Sequence, residues 1–471
     1  LFSSKKNKNI FVDKRVNRFN TVGKAVYLHR DKNRPGINPV DGGENMKKSF
    51  AVAISLVLLA GAVFAGGSSD TKKAEAKSAA PVELEMYYYK QENQEGLKKL
   101  VEAYAAKTGV KISLLIVPND ADATMAARAA QGKLPDILQM QTYARVWEYA
   151  EKGYVVDLSS RPVMGKVLDS AKPAVTYNGK QYALPMDYAG IGIIYNQDIF
   201  NKYGLTAPTT KRELERVCAT LKSNGIIPFA GLLAENWSVG HFITLVHTSL
   251  LVGEKNTPVD KFVAGMNAGT TSYGVVDTAK LFSALDFYRD NMAAKAAEWG
   301  WDQQVSAFVK GEAAMMVQGL WSYGAAIGAD PNLNCGFVPY PVFDDAKLNK
   351  MYADIDSSFG VSAQSPKDKQ DAALAFLEWL ATPEAQKIWI EDYKLVPAFK
   401  DANVSSMQKP FQDLLASVAK NGAYPWAFAS YPTTAFEDAC KNGAQQYMFK
   451  KIAADQVIKN VDTVWAAAVK K

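Results

Sequence analysis

PVELEMYYYKQENQEGLKKLVEAYAAKTGVKISLLIV, residues 81–117, holds a strand, a helix and a second strand in succession. Val82 to Tyr89 has the composition and length of a strand. Leu97, Leu100, Val101 and Tyr104 then fall at i, i+3, i+4 and i+7. That spacing puts them on one apolar stripe, with Lys98, Lys99 and Glu102 toward water, and Gly109 is the stop signal. Val110 to Val117 is the next strand, so the stretch reads as one βαβ unit of a parallel sheet.

Working outward, the same alternation continues. Pro135-Asp136-Ile137-Leu138 reads as a short buried strand, and Tyr182–Pro185 and Gly190–Tyr195 read as two more around a glycine-containing bend. A helix is predicted to start at Thr210, whose hydroxyl forms a capping box with Glu213. Further helices are predicted over Asp277–Met292, with Leu281, Leu285, Tyr288 and Met292 on one face, and over Asp368–Leu380. Thr382-Pro383-Glu384 caps another. The class is α/β.

The chain has 471 residues, 48% hydrophobic and 22% charged, ordinary globular usage with a formal net charge of +6. That excess is local. Residues 1–65 hold 12 of the 54 Lys and Arg and 4 of the 48 Asp and Glu, a net of +8, which leaves the other 406 residues with 42 against 44, a net of −2. A nucleic-acid partner is therefore not expected. Residues 46–65, with Lys47 and Lys48 ahead of an apolar run from Phe50 to Ala65, read as a signal peptide cleaved after Ala65. No lipobox cysteine follows, so a released, periplasmic or otherwise exported product is expected. Residues 1–45 read as upstream sequence foreign to the natural product, and 66–80 as a flexible linker.

Enzymatic motifs are missing from the rest. There is no H-E-x-x-H, no G-x-S-x-G and no P-loop, and Gly190-Ile191-Gly192 lacks the third glycine of a dinucleotide fingerprint. Cys218, Cys335 and Cys440 are widely spaced among apolar neighbours and read as buried free thiols. His241 and His247 read as helix or core residues, and neither metal nor cofactor is expected. Aromatic residues near predicted strand ends and loops are plentiful: Trp147, Trp237, Trp321, Tyr323, Trp426 and Tyr431. Flat rings beside carboxylates and amides suit a sugar, which has apolar C–H faces and a polar equator. Trp379, Trp389 and Trp465 sit in amphipathic helices and are assigned to the core.

Several of these stretches resemble one family. Pro185-Met186-Asp187, then Gly192-Ile193-Ile194-Tyr195-Asn196, then Phe200 and Lys202 match the signature of the extracellular solute-binding proteins of ABC sugar importers, the class that includes the maltose-binding protein. Thr108–Lys111, Leu134–Ile137, the F-x-x-G-x-A-A-M box from Phe308 to Met315, and Ala372–Gln386 are similar to other segments of that family. The resemblance spans about residues 82–465 and implies a two-lobed, periplasmic-binding-protein-like α/β fold with a hinge and an interlobe ligand cleft. By position, lobe 1 would be 81–188 with 358–402, and lobe 2 would be 189–357 with 403–471.

Candidate ligand contacts follow by position: Gln91 and Glu92 after the first strand, Gln139, Gln141 and Tyr143 after Asp136, Asp187 and Asp356 at the two crossings, and Trp237, Trp321 and Trp426 in lobe 2. Asp136 itself reads as a structural strand-end carboxylate. The resemblance implies a monomeric, non-catalytic carrier of a sugar or oligosaccharide, docking on ABC transporter permease subunits in the membrane. Two alternatives stay open: a carrier of a charged small solute, such as a sugar phosphate or polyamine, or a secreted glycosidase. For the last, Asp354 and Asp356 would lie only about 7 Å apart on one strand face, poor placement for an acid–nucleophile pair.

Overall fold

β1 (Glu83–Tyr88) and β2 (Lys111–Ile116) pair in parallel, Glu83 opposite Lys111 through to Tyr88 opposite Ile116, with α1 (Gln94–Thr108) as the connection. Leu97, Leu100, Val101 and Tyr104 are all buried, as their spacing requires. The computed structural model describes residues 82–90, 92–117, 121–431 and 434–469, all within one compact unit. The upstream segment, the signal peptide, the linker and Gln91 lie outside the described residues.

β3 (Ile137–Gln141) runs parallel to β1 on its other side. With β4 (Leu184–Pro185) and β10 (Ser357–Val361) it completes a five-stranded sheet in the order β2-β1-β3-β10-β4, β10 being antiparallel to both neighbours. Asp136 stands just before β3 rather than in it. Its carboxylate accepts from Glu85 N at 2.8 Å and Ser365 Oγ at 2.6 Å, with Lys369 Nζ at 3.2 Å, so it ties strand ends together. Phe376, Trp379, Trp389 and Tyr393, carried by α8 (Lys367–Leu380) and the turns after α9 (Pro383–Ile388), fill the core over this sheet.

The second sheet is built on β5 (Asp187–Asn196), longer than the predicted Gly190–Tyr195 because its first residues also form the crossing between sheets. β5 is antiparallel to β7 (Ala313–Gly319), β8 (Cys335–Val338) and β9 (Met351–Ile355). β6 (Ile227–Phe229) and β12 (Ala423–Tyr424) run parallel to β7 and β9 respectively. A β-carbon at Gly192 would stand 2.5 Å from the Val338 carbonyl oxygen, which is why the close β5–β8 pairing uses glycine there. The core of this half draws Phe242 and Val246 from α4 (Asn236–Thr248), Phe436 and Cys440 from α10 (Thr434–Met448), and Trp465 from α11 (Ala454–Val469).

The first sheet thus packs one core and the second packs two, and the chain passes between the sheets as a ribbon of extended segments. Met186 N donates to Ser357 O at 2.9 Å, Asp356 N to Asp187 O at 3.0 Å, and Ala398 N to Met186 O at 3.0 Å, where β11 (Val396–Pro397) lies against β5. Three hydrogen-bonded crossings, with separate cores on either side, make a two-lobed α/β fold with a hinge.

Local signals hold at the helix ends. α3 (Lys211–Ser223) starts with the predicted box: Glu213 N donates to Thr210 Oγ1 at 3.2 Å, and Thr210 N donates to Glu213 Oε2 at 3.2 Å. Thr210→Ala is expected to cost about 1 kcal/mol, read as a lower midpoint in a urea melt. α5 (Thr278–Asp290) begins one residue after the predicted start, because Asp277 is the cap and accepts from Lys280 N at 3.0 Å. All three cysteines are free and buried, and burial pushes the Cys218 and Cys335 thiols up to about 12. Among the described residues no helix is long and apolar enough to cross a membrane.

Candidate functional site

The carboxyl ends of strands from both sheets converge on one cavity of about 820 Å³. β1 leads into Tyr89, Lys90 and Glu92, and β3 into Gln141, Thr142 and α2 (Ala144–Glu151), whose Trp147 also lines it. On the other side β7 leads into Trp321, β9 into Asp356 and β12 into Trp426. Strand ends are where backbone groups and loops stay free for a ligand in open α/β sheets, and facing two such sets encloses it.

The half built on the second sheet supplies a nearly continuous aromatic wall. Trp301, at the start of α6 (Trp301–Val309), lies 5.6 Å from Trp237 between ring centroids; Trp237 lies 5.6 Å from His241; and His241 stacks on Phe428 at 5.0 Å. Phe428 stacks on Trp426 at 5.5 Å, and Trp426 meets Trp321 edge-on at 6.0 Å. Several of these residues are fixed from behind. Glu235 takes the Trp237 indole N–H and the Trp301 backbone N–H, both at 2.7 Å, and Trp426 Nε1 donates to Tyr352 O at 3.0 Å. Trp321 folds back over Gly319, where any β-carbon would meet the indole at 2.1 Å. Across the cleft, Trp147 Nε1 donates to Thr176 O at 2.8 Å. Rings held this way lose little freedom when a ligand face stacks on them.

The floor is polar. Lys90, 5% exposed, reaches into the hinge, pairs with Asp356 and stands 3.5 Å from Asp187. Asp187 also accepts from Ser357 Oγ at 2.6 Å. Burial raises the Asp187 carboxyl to about 6, with Lys90 pulling the other way and Asp356 adding to the rise. Around the cavity, six carboxylates stand against three cations. Lys90 pairs as above, Arg145 Nη1 is 2.7 Å from Glu148, and Lys441 Nζ is 2.5 Å from Glu437. The cations are thus already matched. Among the described residues no cluster of three or more metal-ligating side chains occurs.

Of the residues expected to contact ligand, Glu92, Gln141, Trp237, Trp321, Asp356 and Trp426 line this cavity. Gln139, Tyr143 and Asp187 do not. Gln139 is wholly buried in β3, with Oε1 accepting from Tyr89 N at 3.1 Å, so it shapes the wall from behind. Tyr143 has a positive φ of 53°, which turns its ring so that its hydroxyl donates to Asp354 at 3.0 and 3.1 Å across the lobes. Asp187 is sealed beneath Lys90. Trp237, expected in a loop, sits in the first turn of α4, and Trp147 lies shortly after the end of β3, in α2. Tyr323 is a core residue against Phe411. The sequence reading missed Lys90, Trp301, Phe428 and His241. His241 lies one helical turn after Trp237, a spacing that would have placed both on one face. His247, as expected, is core: its ring stacks 4.0 Å from Tyr273.

Comparison with known proteins agrees with this architecture. Over 390 residues the chain is 25% identical to an uncharacterized ABC transporter extracellular-binding protein of Pyrococcus horikoshii, covering 77% of this chain and 85% of that one. It is also 25% identical over 370 residues to the maltodextrin-binding protein of Bacillus subtilis, covering 75% and 81%. A chitin oligosaccharide binding protein shares the fold, with a TM-score of 0.71 at 20% identity, covering 82% of this chain and 99% of that one. Residues 99–414 match the family model for bacterial extracellular solute-binding proteins, and with two thirds of its length inside that match the chain belongs to this family.

Proposed function

We propose that the protein is the exported binding component of an ABC importer, capturing a sugar or oligosaccharide between its lobes and delivering it to permease subunits in the membrane. The observation that carries this reading is the braced aromatic wall facing a polar floor across an 820 Å³ cleft. That pairing fits stacked pyranose rings whose hydroxyls need acceptors and donors. The relatives named for maltodextrin and chitin oligosaccharide binding support it. On this reading residues 81–188 with 358–402 move as lobe 1 and 189–357 with 403–471 as lobe 2. The protein acts as a monomer without cofactor, and residues 46–65 direct its export to the periplasm or beyond.

The matched cations count against a sugar phosphate, since no positive group is left over in the floor to take its charge. Glycosidase chemistry is disfavoured by Asp354, which is 8% exposed and occupied by the Tyr143 hydroxyl and by the backbone N–H groups of Ile355 and Trp426. That leaves it poorly placed to work with Asp356 across a glycosidic bond.

Five of the nine tryptophans line the cleft, so sugar binding is expected to shift or quench their emission with saturable, one-to-one behaviour. A flat titration across maltodextrins, raffinose and diacetylchitobiose would count against the reading. New reducing ends appearing on incubation with a polysaccharide would replace it with an enzyme.

A further inference from the structure

We propose that Tyr143 is a positioning residue of the cleft: its hydroxyl, bonded to Asp354 across the hinge, holds the two aromatic faces near their sugar-bound separation before a sugar enters. The inference rests on the carbohydrate reading of the cleft and deepens it by naming what sets the gap between the rings that would stack on the ligand.

Tyr143 stands between β3 of the first sheet and α2, and Asp354 lies in β9 of the second sheet. The hydroxyl reaches both carboxylate oxygens, at 3.0 and 3.1 Å. Beside it Thr142 Oγ1 donates to Ile355 O at 2.8 Å, a second tie between the same two segments. Thr142 and Ala144, on either side of Tyr143, line the cavity, and so do Asp356 and Trp426 on the other half, so these bonds lie at the base of the cleft. Widening the cleft would stretch them. Each end of the Tyr143–Asp354 tie also carries a ring of the cleft. Tyr143 O accepts from Trp147 N at 2.9 Å, and the tyrosine and indole rings meet edge-on at 6.0 Å; Asp354 accepts from Trp426 N at 3.2 Å.

The backbone at Tyr143 shows that this placement is imposed. Its φ of 53° and ψ of −109° lie outside the regions readily open to a residue with a side chain. Such strain persists only where the surroundings over-determine it, and it collects at functional positions. Tyr143 N donates to Ala174 O at 2.7 Å, which with the Trp147 bond fixes the chain on both sides of the residue. Asp354 already holds two backbone donors, Ile355 N at 2.8 Å and Trp426 N, so the hydroxyl is not there to rescue a bare carboxylate. Burial, then Asp354, push the Tyr143 hydroxyl far above the usual phenol range, which keeps it a donor. A tie that presets the gap between two stacking faces lowers the cost of ordering them on binding.

The test compares the wild type with Y143F, which keeps the ring and removes only the hydroxyl. Small-angle X-ray scattering without sugar is expected to give Y143F a larger radius of gyration than the wild type, with a melting temperature lowered by no more than about 3 °C. Maltotriose, raffinose and diacetylchitobiose are then titrated by calorimetry, and stopped-flow tryptophan fluorescence follows whichever binds the wild type. Y143F is expected to bind that sugar about 10-fold more weakly, through slower association at an unchanged dissociation rate, because fewer molecules hold the binding-competent gap. Y143M is read in the same way and decides the matter if Y143F does not fold. Superimposable sugar-free scattering curves, unchanged affinity, or a loss confined to faster dissociation would overturn the role of Tyr143 while leaving the carbohydrate reading intact. No heat from the wild type with any of the three sugars would overturn the carbohydrate reading, and this inference with it.

Discussion

Lys90→Met is expected to destabilise the protein by about 3–5 kcal/mol, the usual result of removing one partner of a buried ion pair. Lys90 is 5% exposed and Asp187 is 1% exposed, so water cannot replace the lost ammonium. The damage falls on the hinge, because Asp187 and Asp356 sit on the two hydrogen-bonded crossing segments. The loss should depend on pH, with a definite sign. Asp187 already titrates near 6, above the ordinary aspartate value, because its burial disfavours the anion. Without Lys90 its pKa rises further, so at low pH the carboxyl takes up a proton and the unpaired charge disappears. The deficit of the variant is therefore largest at pH 8 and smaller at pH 5. Chemical denaturation at both pH values checks this, and adding Asp187→Asn to the variant is expected to recover part of the stability. An equal deficit at both pH values would mean that the loss comes from packing of the lysine stem alone.

Trp237→Ala is expected to weaken sugar binding by about 30-fold or more, roughly 2 kcal/mol, the scale of a large aromatic at the centre of a binding surface. The ring lies between Trp301 and His241, so its loss cuts Trp301 off from the rest of the wall. It also leaves Glu235 with only the Trp301 backbone N–H of the two donors it now holds. Because Trp237 is half-buried at the cleft, thermal stability should change far less than affinity. Fluorescence or calorimetric titration with the sugar that binds the wild type separates the two quantities. A variant that binds as tightly as the parent would remove the aromatic wall from the account of recognition.

What could be read from the sequence was what is decided locally. The βαβ unit, the Thr210 capping box and the Thr382 cap depend on neighbours within a turn or two, and each forms as expected. The strand ends could be found too, and Glu92, Gln141 and Asp356, singled out from them, line the cavity. Side-chain direction could not. Gln139 and Gln141 share one face of β3, yet only Gln141 reaches the open end, because Tyr89 of the neighbouring segment covers Gln139. The positive φ at Tyr143 has no signal in its residue type. Lys90 was passed over for its neighbours Gln91 and Glu92, since the two carboxylates that hold it lie 97 and 266 residues away. The wall was half visible as tryptophans near strand ends. Trp301 and Phe428 join it only because α4, α6 and the segment after β12 pack together, a tertiary event with no short-range pattern.

Small-angle X-ray scattering from the purified protein, without and with a saturating concentration of the sugar that binds, bears most directly on capture between hinged lobes. The expected result is a fall in radius of gyration on adding sugar, reversed when the sugar is dialysed away. Superimposable curves at a concentration that saturates the tryptophan signal would contradict closure of the cleft on its ligand.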